Sequence, residues 1–279
     1  MGHPIHHSLS PEIFSFLSGI LKVPVIYRKL DIPPIELISS VRILKKLPLL
    51  EGWNVTLPHK EAILSSIDIL SPECEATGAV NVVKVSQNKL YGFNTDIPGV
   101  LQTFKEHRIR IQGRSALVFG AGGASAAVGT VLGKEGASRV WIVNRTLSRA
   151  RKISRSLQKR FPATEFKVLP PERMSGFIEP VALYVNATPL GMKGFPKQTY
   201  LPKKLTPGSF AFDLIYRPGV TSFIQEAAER GLKTLNGLDM LCWQALFTWE
   251  IWVEEIVHKT RIKRLLKNHL EMCMRKDRL

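Results

Sequence analysis

A glycine-rich turn between an apolar segment and a small-residue helix is the feature that most constrains how this chain folds. The turn Gly120-Ala121-Gly122-Gly123-Ala124-Ser125 follows the apolar residues 116–119. Glycine at 120 permits a tight turn, and glycine at 122 lets a pyrophosphate approach the backbone at the amino end of the following helix. A second apolar run, at residues 140–143, lies about 20 residues further on, as in a dinucleotide-binding βαβ unit. The pattern favours dinucleotide binding over a plain glycine turn.

The surrounding sequence predicts an α/β fold. From about residue 112, apolar runs alternate with helical segments such as residues 149–158, and βα units of this length imply a parallel sheet with crossover helices. The first third also alternates, with short apolar runs at residues 23–27 and 80–85 around a helical stretch at residues 35–47. Because 279 residues commonly form two domains of roughly 100–200 residues each, we predict two α/β domains.

The end of the chain follows a different pattern. After Gly237, apolar residues recur at the spacing of one helical face, namely Leu238, Leu241, Ala245, Leu246, Trp249, Trp252 and Val253. No strand pattern follows them. We therefore expect C-terminal helices that do not extend the second sheet and return to pack on the first domain.

Charge and cysteine content limit the partners and the location. The chain has 39 Lys and Arg against 23 Asp and Glu, a formal charge of +16, and residues 258–279 are especially basic. Such a surface attracts nucleic acid, anionic membranes and phosphorylated or carboxylated small molecules alike. The three cysteines form no CxxC pair, which argues against a disulfide framework or a zinc site. Residues 1–12 lack the features of a secretory signal, so we expect a cytoplasmic protein.

The residues after the second apolar run bear on the choice between NAD and NADP. An NAD-binding unit places an acidic residue here for the ribose hydroxyls, whereas this chain has Asn144, Arg145, Thr146 and Arg149. A guanidinium binds a phosphate through two hydrogen bonds, and a carboxylate repels it. The pattern favours NADP, although arginines that merely solvate a helix start are the alternative.

Two segments of the first domain carry side chains suited to chemistry. Ser8 and Ser10 precede a predicted helix, a position that by itself indicates capping. Thr56 is the predicted cap of a second helix, whose first turn contains Lys60. The helix dipole and a partly dry cleft would lower the pKa of a lysine there, as proton transfer near neutrality requires. The alternative is a solvated lysine.

Asp96 and three histidines complete the candidates. Asp96 precedes a predicted helix at residues 97–107 and is expected to cap it, to take part in catalysis, or both. His3, His6 and His7 invite a metal site, but Pro4 breaks the helix that would align them and no acidic or cysteine partner is expected nearby. We therefore predict no bound metal.

Taken in order, eight segments resemble the shikimate dehydrogenase family, whose members are NADP-dependent enzymes that reduce 3-dehydroshikimate in aromatic amino-acid (chorismate) biosynthesis. The segments are Gly2-His3-Pro4-Ile5-His6-His7-Ser8-Leu9-Ser10-Pro11; Asn54-Val55-Thr56 with Pro58 and Lys60; Gly78-Ala79-Val80-Asn81; Asn94-Thr95-Asp96; the glycine turn with Asn144-Arg145-Thr146; Asn186-Ala187-Thr188-Pro189-Leu190-Gly191-Met192; residues 213–221; and Gly237-Leu238-Asp239-Met240-Leu241 with Gln244. Their order along nearly the whole chain makes the resemblance specific.

The resemblance implies an N-terminal α/β substrate domain at residues 1–97, a Rossmann-like parallel-sheet NADP domain at residues 98–236, and a C-terminal helical segment at residues 237–279. It implies that Lys60 and Asp96 are the catalytic pair. The implied substrate contacts are Ser8, Ser10, Thr56, Lys60, Asn81, Asp96, Tyr216 and Gln244. The implied NADP contacts are Gly120, Ala121, Gly122, Gly123, Ala124, Asn144, Arg145, Thr146, Arg149, Ala187, Thr188, Leu214, Gly237 and Met240.

The chain also departs from the usual family pattern. Phe14-Ser15 stands where His-Asn is usual, Val82 replaces a usual Thr and Ile97 a usual Gly, and the sequence begins at the first motif, where a short apolar strand usually precedes it. A quinate/shikimate dehydrogenase with broader cofactor use fits the same motifs. An alternative of another class is a non-catalytic ligand-binding regulator that uses its basic tail on nucleic acid. We expect a small-molecule substrate, no nucleic-acid or membrane partner, and a monomer or homodimer.

Overall fold

The computed structural model describes residues 1–6, 8–255 and 257–276, which fall into two compact units. Met1–Gly99 and Cys242–Leu279 form the first unit, and Val100–Leu241 form the second. Each unit has its own sheet and its own hydrophobic core.

Helices and strands alternate through the described chain. The helices are α1 (Ser10–Leu21), α2 (Leu37–Leu44), α3 (His59–Ala62), α4 (Pro72–Thr77), α5 (Asp96–Glu106), α6 (Gly123–Lys134), α7 (Leu147–Arg160), α8 (Ser222–Glu229), α9 (Leu238–Val253) and α10 (Lys259–Lys276). The strands are β1 (Gly52–Asn54), β2 (Ile69–Leu70), β3 (Val82–Ser86), β4 (Lys89–Phe93), β5 (Ser115–Phe119), β6 (Arg139–Val143), β7 (Glu165–Leu169), β8 (Leu183–Asn186), β9 (Phe210–Asp213) and β10 (Lys233–Leu235). Short 3-10 helices lie at Pro34–Glu36, Ile63–Ser66 and Pro171–Gly176. None of the described helices has both the length and the apolar character needed to cross a bilayer.

The first unit contains a four-stranded sheet in the order β1-β3-β4-β2. β2 runs parallel to β4, and the other neighbouring strands are antiparallel. β3 and β4 form a hairpin whose turn residues, Gln87 and Asn88, have φ angles of 49° and 56°, as a type I′ turn requires. At the other end of the hairpin, the Asn81 N–H donates to the Phe93 carbonyl at 3.0 Å. The hairpin therefore brings Asn81 close to the start of α5.

Most of α9 and all of α10 belong to the first unit, whereas the first turn of α9, up to Leu241, belongs to the second. Trp252 in α9 donates its Nε1–H to the Val83 carbonyl at 3.0 Å, and Lys84 Nζ donates to the Ile251 carbonyl at 2.8 Å. α10 packs against α1, where the rings of Phe16 and His269 stack at 4.4 Å. Of the apolar face that the sequence pattern indicated, Leu238, Ala245, Leu246 and Trp249 are buried.

The second unit contains a six-stranded, fully parallel sheet in the order β10-β9-β8-β5-β6-β7. This is the strand order of a Rossmann fold, in which the direction of winding reverses between the first strand and the fourth, here β5 and β8. Ligands of such sheets bind at the carboxyl ends of the strands beside this reversal. The parallel sheet confirms the predicted fold class.

Some predicted elements differ from those observed. The apolar run at residues 23–27 is not a strand, because Pro24 has no N–H and the Val25 N–H donates to the Ser18 hydroxyl at 3.1 Å. The helix predicted at residues 35–47 is shorter, since a 3-10 turn precedes α2 and α2 ends at Leu44. The run at residues 80–85 overlaps β3, as expected.

Replacing Leu117 by alanine should destabilise the second unit strongly. Leu117 lies in the central strand β5 and is fully buried, so the substitution leaves a cavity and should lower the free energy of unfolding by about 2–5 kcal/mol. Urea unfolding followed by circular dichroism measures the loss. Ile178→Ala, in the same unit at 77% exposure, is the control and should change it by less than about 0.5 kcal/mol. Equal losses for both variants would contradict the assigned core.

Candidate active site

An ion pair between Lys60 and Asp96 is the centre of a polar cluster in the first unit. Lys60 Nζ lies 2.5 Å from Asp96 Oδ2, and the two side chains are only 21% and 7% exposed. Lys60 stands in α3, which is tied to the sheet because the Val80 N–H donates to the Lys60 carbonyl at 2.8 Å. An opposite charge at this distance, with little water around it, holds the ammonium in one direction.

Asn81 fixes the other oxygen of the same carboxylate. Its Nδ2 donates to Asp96 Oδ1 at 2.9 Å and to Thr95 Oγ1 at 2.9 Å. Its Oδ1 accepts the Thr95 N–H at 2.8 Å, which identifies the amide orientation from the network itself. Both Asp96 oxygens therefore have a donor, and the carboxylate has little freedom to rotate.

At the start of α5, the backbone and the carboxylate of Asp96 have different partners. Asn94 Oδ1 accepts the Asp96 N–H at 3.1 Å, and Asn94 Nδ2 donates to the Ala79 carbonyl at 2.9 Å. Asn94 thus satisfies the N–H of the first helical residue, while the Asp96 carboxylate contacts Lys60 and Asn81. These contacts place the Asp96 carboxylate in the polar cluster, and its catalytic role stays a prediction.

Ser8 and Ser10 lie together at the start of α1. The Ser8 hydroxyl donates to Ser10 Oγ at 3.1 Å, and the Ser10 N–H donates to Ser8 Oγ at 3.3 Å. The Tyr27 hydroxyl donates to Asn54 Oδ1 at 2.9 Å. Two neighbouring hydroxyls such as those of Ser8 and Ser10 can donate to an anionic ligand.

Thr56 does not have the structural role that the sequence suggested. The predicted helix cap at Thr56 is wrong, because α3 begins at His59 with Pro58 in the cap position and no side-chain cap bond. Thr56 instead uses its backbone: its N–H donates to the Met1 carbonyl at 2.9 Å, and its carbonyl accepts the His59 N–H at 2.9 Å. Its side chain is exposed, which is compatible with contact to a ligand.

Gln244 joins the cluster from α9. Thr95 Oγ1 donates to Gln244 Oε1 at 3.4 Å and lies 3.3 Å from Thr248 Oγ1. Among the predicted substrate contacts, the first unit thus places Lys60, Asn81, Asp96 and Gln244 in one network, with the two serines on the Tyr27 side. Tyr216 belongs to the second unit, between β9 and α8.

Sequence reasoning missed several members of this cluster. Asn54, Asn94 and Thr95 lie inside recognised motifs, so their polar side chains were visible but carried no assigned role. Thr248 sits within the apolar stripe of α9, where a hydroxyl looks incidental. Tyr27 ends a short apolar run and has no local signal at all, since only tertiary packing brings it to Asn54.

The glycine turn of the second unit fits a bound dinucleotide. Gly120 has φ +115°, and a Cβ there would lie 2.7 Å from the Ala187 carbonyl oxygen. At Gly122, the cap residue of α6, a Cβ would meet nothing within 4 Å, so open space faces the amino end of the helix. The Ser125 hydroxyl donates to the Gly120 carbonyl at 2.8 Å and holds the turn. Open backbone N–H groups at a helix start are the usual cradle for a pyrophosphate.

The segment after β6 presents cationic side chains to solvent. Asn144 Nδ2 donates to the Thr146 carbonyl at 2.9 Å and shapes the turn into α7. Arg145 and Arg149 are both exposed, and within the described residues neither has an acidic side chain within ion-pair distance. Their guanidinium groups are therefore available to an anionic ligand such as a ribose phosphate.

The loops after β8 and β9 are joined through a buried carboxyl. Asn186 Nδ2 donates to Asp213 Oδ1 at 3.0 Å, and Asn186 Oδ1 accepts the Thr188 N–H at 3.1 Å. Burial raises the pKa of Asp213 to about 6, although hydrogen bonds from Thr221, Ile215 and Asn186 oppose the shift. These hydrogen bonds hold in place the backbone of the loop after β8, which lies beside Gly120.

The remaining predicted cofactor contacts lie at the same end of the sheet. The Ala187 N–H donates to the Phe119 carbonyl at 2.8 Å, and the Leu214 N–H donates to the Asn186 carbonyl at 3.0 Å. Gly237 leaves no room for a side chain, because a Cβ would lie 2.0 Å from the Leu214 carbonyl oxygen. Met240 is buried in the first turns of α9.

The histidine and carboxylate positions bear on the metal prediction. His3 Nδ1 lies 2.8 Å from Asp31 Oδ1, so the expectation that no acidic partner is nearby is wrong, because Asp31 is distant in sequence. His7 lies outside the described residues. Among the residues the structure describes, the ligand atoms of Glu106, His107 and Asp239 lie within 4.8 Å of one another. His107 Nε2 lies 2.9 Å from Asp239 Oδ2. The absence of a bound metal stays a prediction.

Comparison with known proteins agrees with this geometry. The shikimate dehydrogenase substrate binding domain family matches residues 1–83, and the shikimate / quinate 5-dehydrogenase family matches residues 102–188. The shikimate dehydrogenase (NADP(+)) of Symbiobacterium thermophilum is 36% identical over 90% of this chain and 87% of its own length.

Solved structures superpose over almost the whole chain. Shikimate 5-dehydrogenase from Thermus thermophilus, in complex with NADP(H) and shikimate, is 34% identical with a TM-score of 0.78, covering 96% of this chain and 97% of that one. The enzyme from Listeria monocytogenes, in complex with shikimate and NAD, is 31% identical with a TM-score of 0.82, covering 95% and 94%.

The buried carboxyl of Asp213 should make stability depend on pH. Its raised pKa means that the folded state holds a proton that the unfolded chain has already lost above about pH 4. Its contribution should therefore fall as the pH rises from about 4 to about 6, by on the order of 2–3 kcal/mol, and stay constant above that. Urea unfolding of the parent and of Asp213→Asn across this range measures the difference. Parallel stability curves for the two proteins would contradict the shift.

Proposed function

The chain belongs to the shikimate dehydrogenase family, and from this premise we propose that it catalyses the reversible reduction of 3-dehydroshikimate to shikimate with NADPH. The observation that carries the proposal is the Lys60–Asp96 pair, with Nζ and Oδ2 at 2.5 Å and both side chains largely shielded from water. A protein that only bound the ligand would not need a charged lysine held against a buried carboxylate. In this proposal the reaction serves aromatic amino-acid biosynthesis.

Lys60 acts as the general acid of the reduction. A ketone oxygen that gains negative charge needs a proton, and the ammonium donates it from Nζ; in the reverse direction the neutral amine accepts it. Asp96 holds Nζ in place and stabilises its charge, and Asn81 keeps the carboxylate from rotating. NADPH, when bound, supplies the hydride.

The polar side chains of the cluster recognise the substrate. Ser8 and Ser10 donate hydrogen bonds to its carboxylate, and Asn81 and Asp96 contact its ring hydroxyls. Thr56, Tyr216 and Gln244 complete the set. A site of this kind rejects analogues that lack a hydroxyl, because they leave buried polar groups without a partner.

Backbone and arginine side chains hold the cofactor. The backbone of residues 120–124 binds the pyrophosphate at the amino end of α6, where its N–H groups face open space. The 2′-phosphate is bound by Asn144, Thr146 and the guanidinium groups of Arg145 and Arg149. Because only NADP carries this phosphate, the arrangement favours NADP over NAD. The nicotinamide side of the site is lined by the loop residues Ala187, Thr188 and Leu214 and by Gly237 and Met240.

The two units divide these tasks between them. We propose that residues 1–97 with residues 237–279 provide most of the substrate contacts and that residues 98–236 provide most of the NADP contacts; the exceptions are Tyr216, which contacts the substrate, and Gly237 and Met240, which contact the cofactor. The division is supported by the location of the catalytic pair in one unit and the glycine turn in the other. We further propose a cytoplasmic monomer or homodimer, and light scattering after gel filtration distinguishes these two states.

One spectrophotometric comparison tests the function as a whole. Shikimate with NADP should be oxidised much faster than quinate with NAD. Similar rates for both pairs would favour the broader quinate/shikimate enzyme. No turnover together with salt-dependent binding of nucleic acid would favour the regulator instead.

Replacing Lys60 by alanine should lower kcat by about 10²- to 10⁴-fold, the usual contribution of one positioned acid/base group, with little change in KM. Steady-state rates of shikimate oxidation measure both constants. Lys46→Ala, an exposed lysine of the same unit, is the matched control and should leave them unchanged. An unaltered kcat in the Lys60 variant would remove this residue from the mechanism.

Replacing Arg145 and Arg149 together by alanine should weaken NADP far more than NAD, because only NADP carries the 2′-phosphate. We expect KM for NADP to rise by roughly 10- to 100-fold, and KM for NAD to stay within about threefold. Arg151→Ala with Arg155→Ala, two exposed arginines of α7, is the control pair. Equal losses for both cofactors would contradict the phosphate fork.

A further inference from the structure

A buried carboxyl joins the ends of two neighbouring parallel strands in the second unit, and the proposed function assigns it no role. Asn186 closes β8 and Asp213 closes β9, where the two residues are paired in the sheet register. The Asp213 carboxylate accepts hydrogen bonds from Asn186 Nδ2 and the Ile215 N–H at Oδ1, each at 3.0 Å. At Oδ2 it accepts the Thr221 hydroxyl. Three segments of chain therefore meet at one side chain that is completely buried.

This carboxylate sets the orientation of the Asn186 amide. Burial raises the pKa of Asp213 to about 6, so the group is mainly ionised above about pH 7, and an ionised carboxylate can only accept. The NH2 of Asn186 therefore faces Asp213, and its second hydrogen is donated to the Leu190 carbonyl at 3.2 Å. The amide oxygen must then point to the opposite side, towards Thr188.

The amide oxygen of Asn186 in turn holds the loop that follows β8. It accepts the Thr188 N–H at 3.1 Å and the Thr188 hydroxyl at 2.6 Å. Because the hydroxyl proton is used there, Thr188 Oγ1 is left as an acceptor, and the Leu190 N–H donates to it at 3.2 Å. A reversed amide would place its NH2 against two donors and its oxygen against the Leu190 carbonyl. The acceptor at Asp213 thus favours one conformation of this loop.

Three predicted contacts of the nicotinamide side lie directly beside this pair. Ala187 and Thr188 follow Asn186 in the chain. Leu214 follows Asp213 and donates its N–H to the Asn186 carbonyl at 3.0 Å. Since the Asp213 side chain is itself inaccessible, it can act on a bound ligand only through these neighbours. Loop residues that are already ordered before the ligand arrives lose less conformational freedom on binding.

We propose that Asp213 is a positioning residue for the nicotinamide half of NADP, and that it acts through the Asn186 amide on the backbone and hydroxyl of Thr188. The inference rests on the proposed function. The hydrogen bonds that carry the effect stay in place when the cofactor binds, so the same contacts order the loop before and after binding. Asp213 does not touch the reacting atoms, and no covalent bond changes.

The decisive pair of variants is Asp213→Leu and Asp213→Asn. Leucine removes the acceptor and frees the Asn186 amide to turn over, so the dissociation constant of NADP should rise by roughly 5- to 30-fold. Asparagine keeps an oxygen where the Asn186 and Ile215 N–H groups converge, because the Thr221 hydroxyl at the other position can rotate to accept. The dissociation constant should then stay within about twofold of the parent value. Isothermal titration calorimetry above the pKa of Asp213 measures it.

A second ligand shows which half of the cofactor is concerned. The probe is 2′-phospho-ADP-ribose, which is NADP without its nicotinamide. Its dissociation constant should change by less than about twofold in Asp213→Leu, because the proposed contacts of its phosphates lie elsewhere. A general loss of folded structure would weaken both ligands alike.

Thr221→Val is the matched control. It removes a hydrogen bond from the same carboxylate and the side-chain cap of α8, but it leaves the hydrogen bond between Asn186 and Asp213 in place. The variant should have a lower melting temperature than the parent, while the dissociation constants of both ligands stay within about twofold.

Two variants at Asn186 test the route of the effect. Asn186→Ala should weaken NADP about as much as Asp213→Leu, and combining the two should add less than about twofold, because the connecting amide is already gone. Asn186→Asp places two carboxyls side by side, so that the pair takes up a proton as the pH falls. The protonated group then donates to Asp213 as the amide does. The ratio of its NADP dissociation constant to that of the parent should therefore decrease towards lower pH.

The outcomes separate this inference from the proposed function. If the parent protein neither binds NADP nor oxidises shikimate with it, the proposed function fails. If the parent binds NADP and Asp213→Leu leaves the dissociation constant unchanged, the positioning role is overturned. Equal weakening of NADP and 2′-phospho-ADP-ribose, or equal losses in Asp213→Leu and Asp213→Asn, overturns it too. If a thermal melt shows that Asp213→Leu does not fold, Asn186→Asp decides, and a ratio that does not vary with pH overturns the role.

Discussion

The contact between the Lys60 ammonium and the Asp96 carboxylate organises the first unit around a charge that has been taken out of water. Removing water from two ions costs several kcal/mol per ion, and their attraction offsets this only when the remaining hydrogen-bonding capacity is also met. Here it is met by Asn81, which binds the second carboxylate oxygen, and by Asn94, which holds the backbone N–H of Asp96. Asn81 and Asn94 therefore hold Asp96 in the position in which it pairs with Lys60.

In the second unit, glycine residues leave backbone groups exposed while the surrounding chain stays closely packed. Gly120 brings the turn within contact of the Ala187 carbonyl, where a side chain would clash. Gly122 leaves open space at the start of α6, and Gly237 lets the chain pass against Leu214. The central strands β5, β6, β8 and β9 are largely buried, as in parallel sheets covered on both faces. The loops described here follow the carboxyl ends of these strands, where such sheets bind their ligands.

Much of the fold and of the candidate site could be predicted from local patterns. The glycine turn, its flanking strand and the following helix are consecutive in sequence, so their spacing carries the geometry of the βαβ unit. Lys60, Asn81 and Asp96 were visible because each lies in a short recognisable motif. The helix cap predicted at Thr56 was wrong because α3 is very short and begins three residues later. The strand predicted at residues 23–27 was wrong because the Val25 N–H donates to the Ser18 hydroxyl.

The amino-acid sequence by itself determined the α/β class, the parallel sheet and the choice of candidate catalytic and phosphate-binding groups, because these depend on spacing and on side-chain type. Only the tertiary structure decided which polar groups hydrogen-bond with one another. Tyr27 donates to Asn54, and Thr95 donates to Gln244, across long stretches of chain. Such contacts have no local signature, since a hydroxyl's partner is set by the packing of its neighbours, as by the ring of Phe14 that stacks on Tyr27.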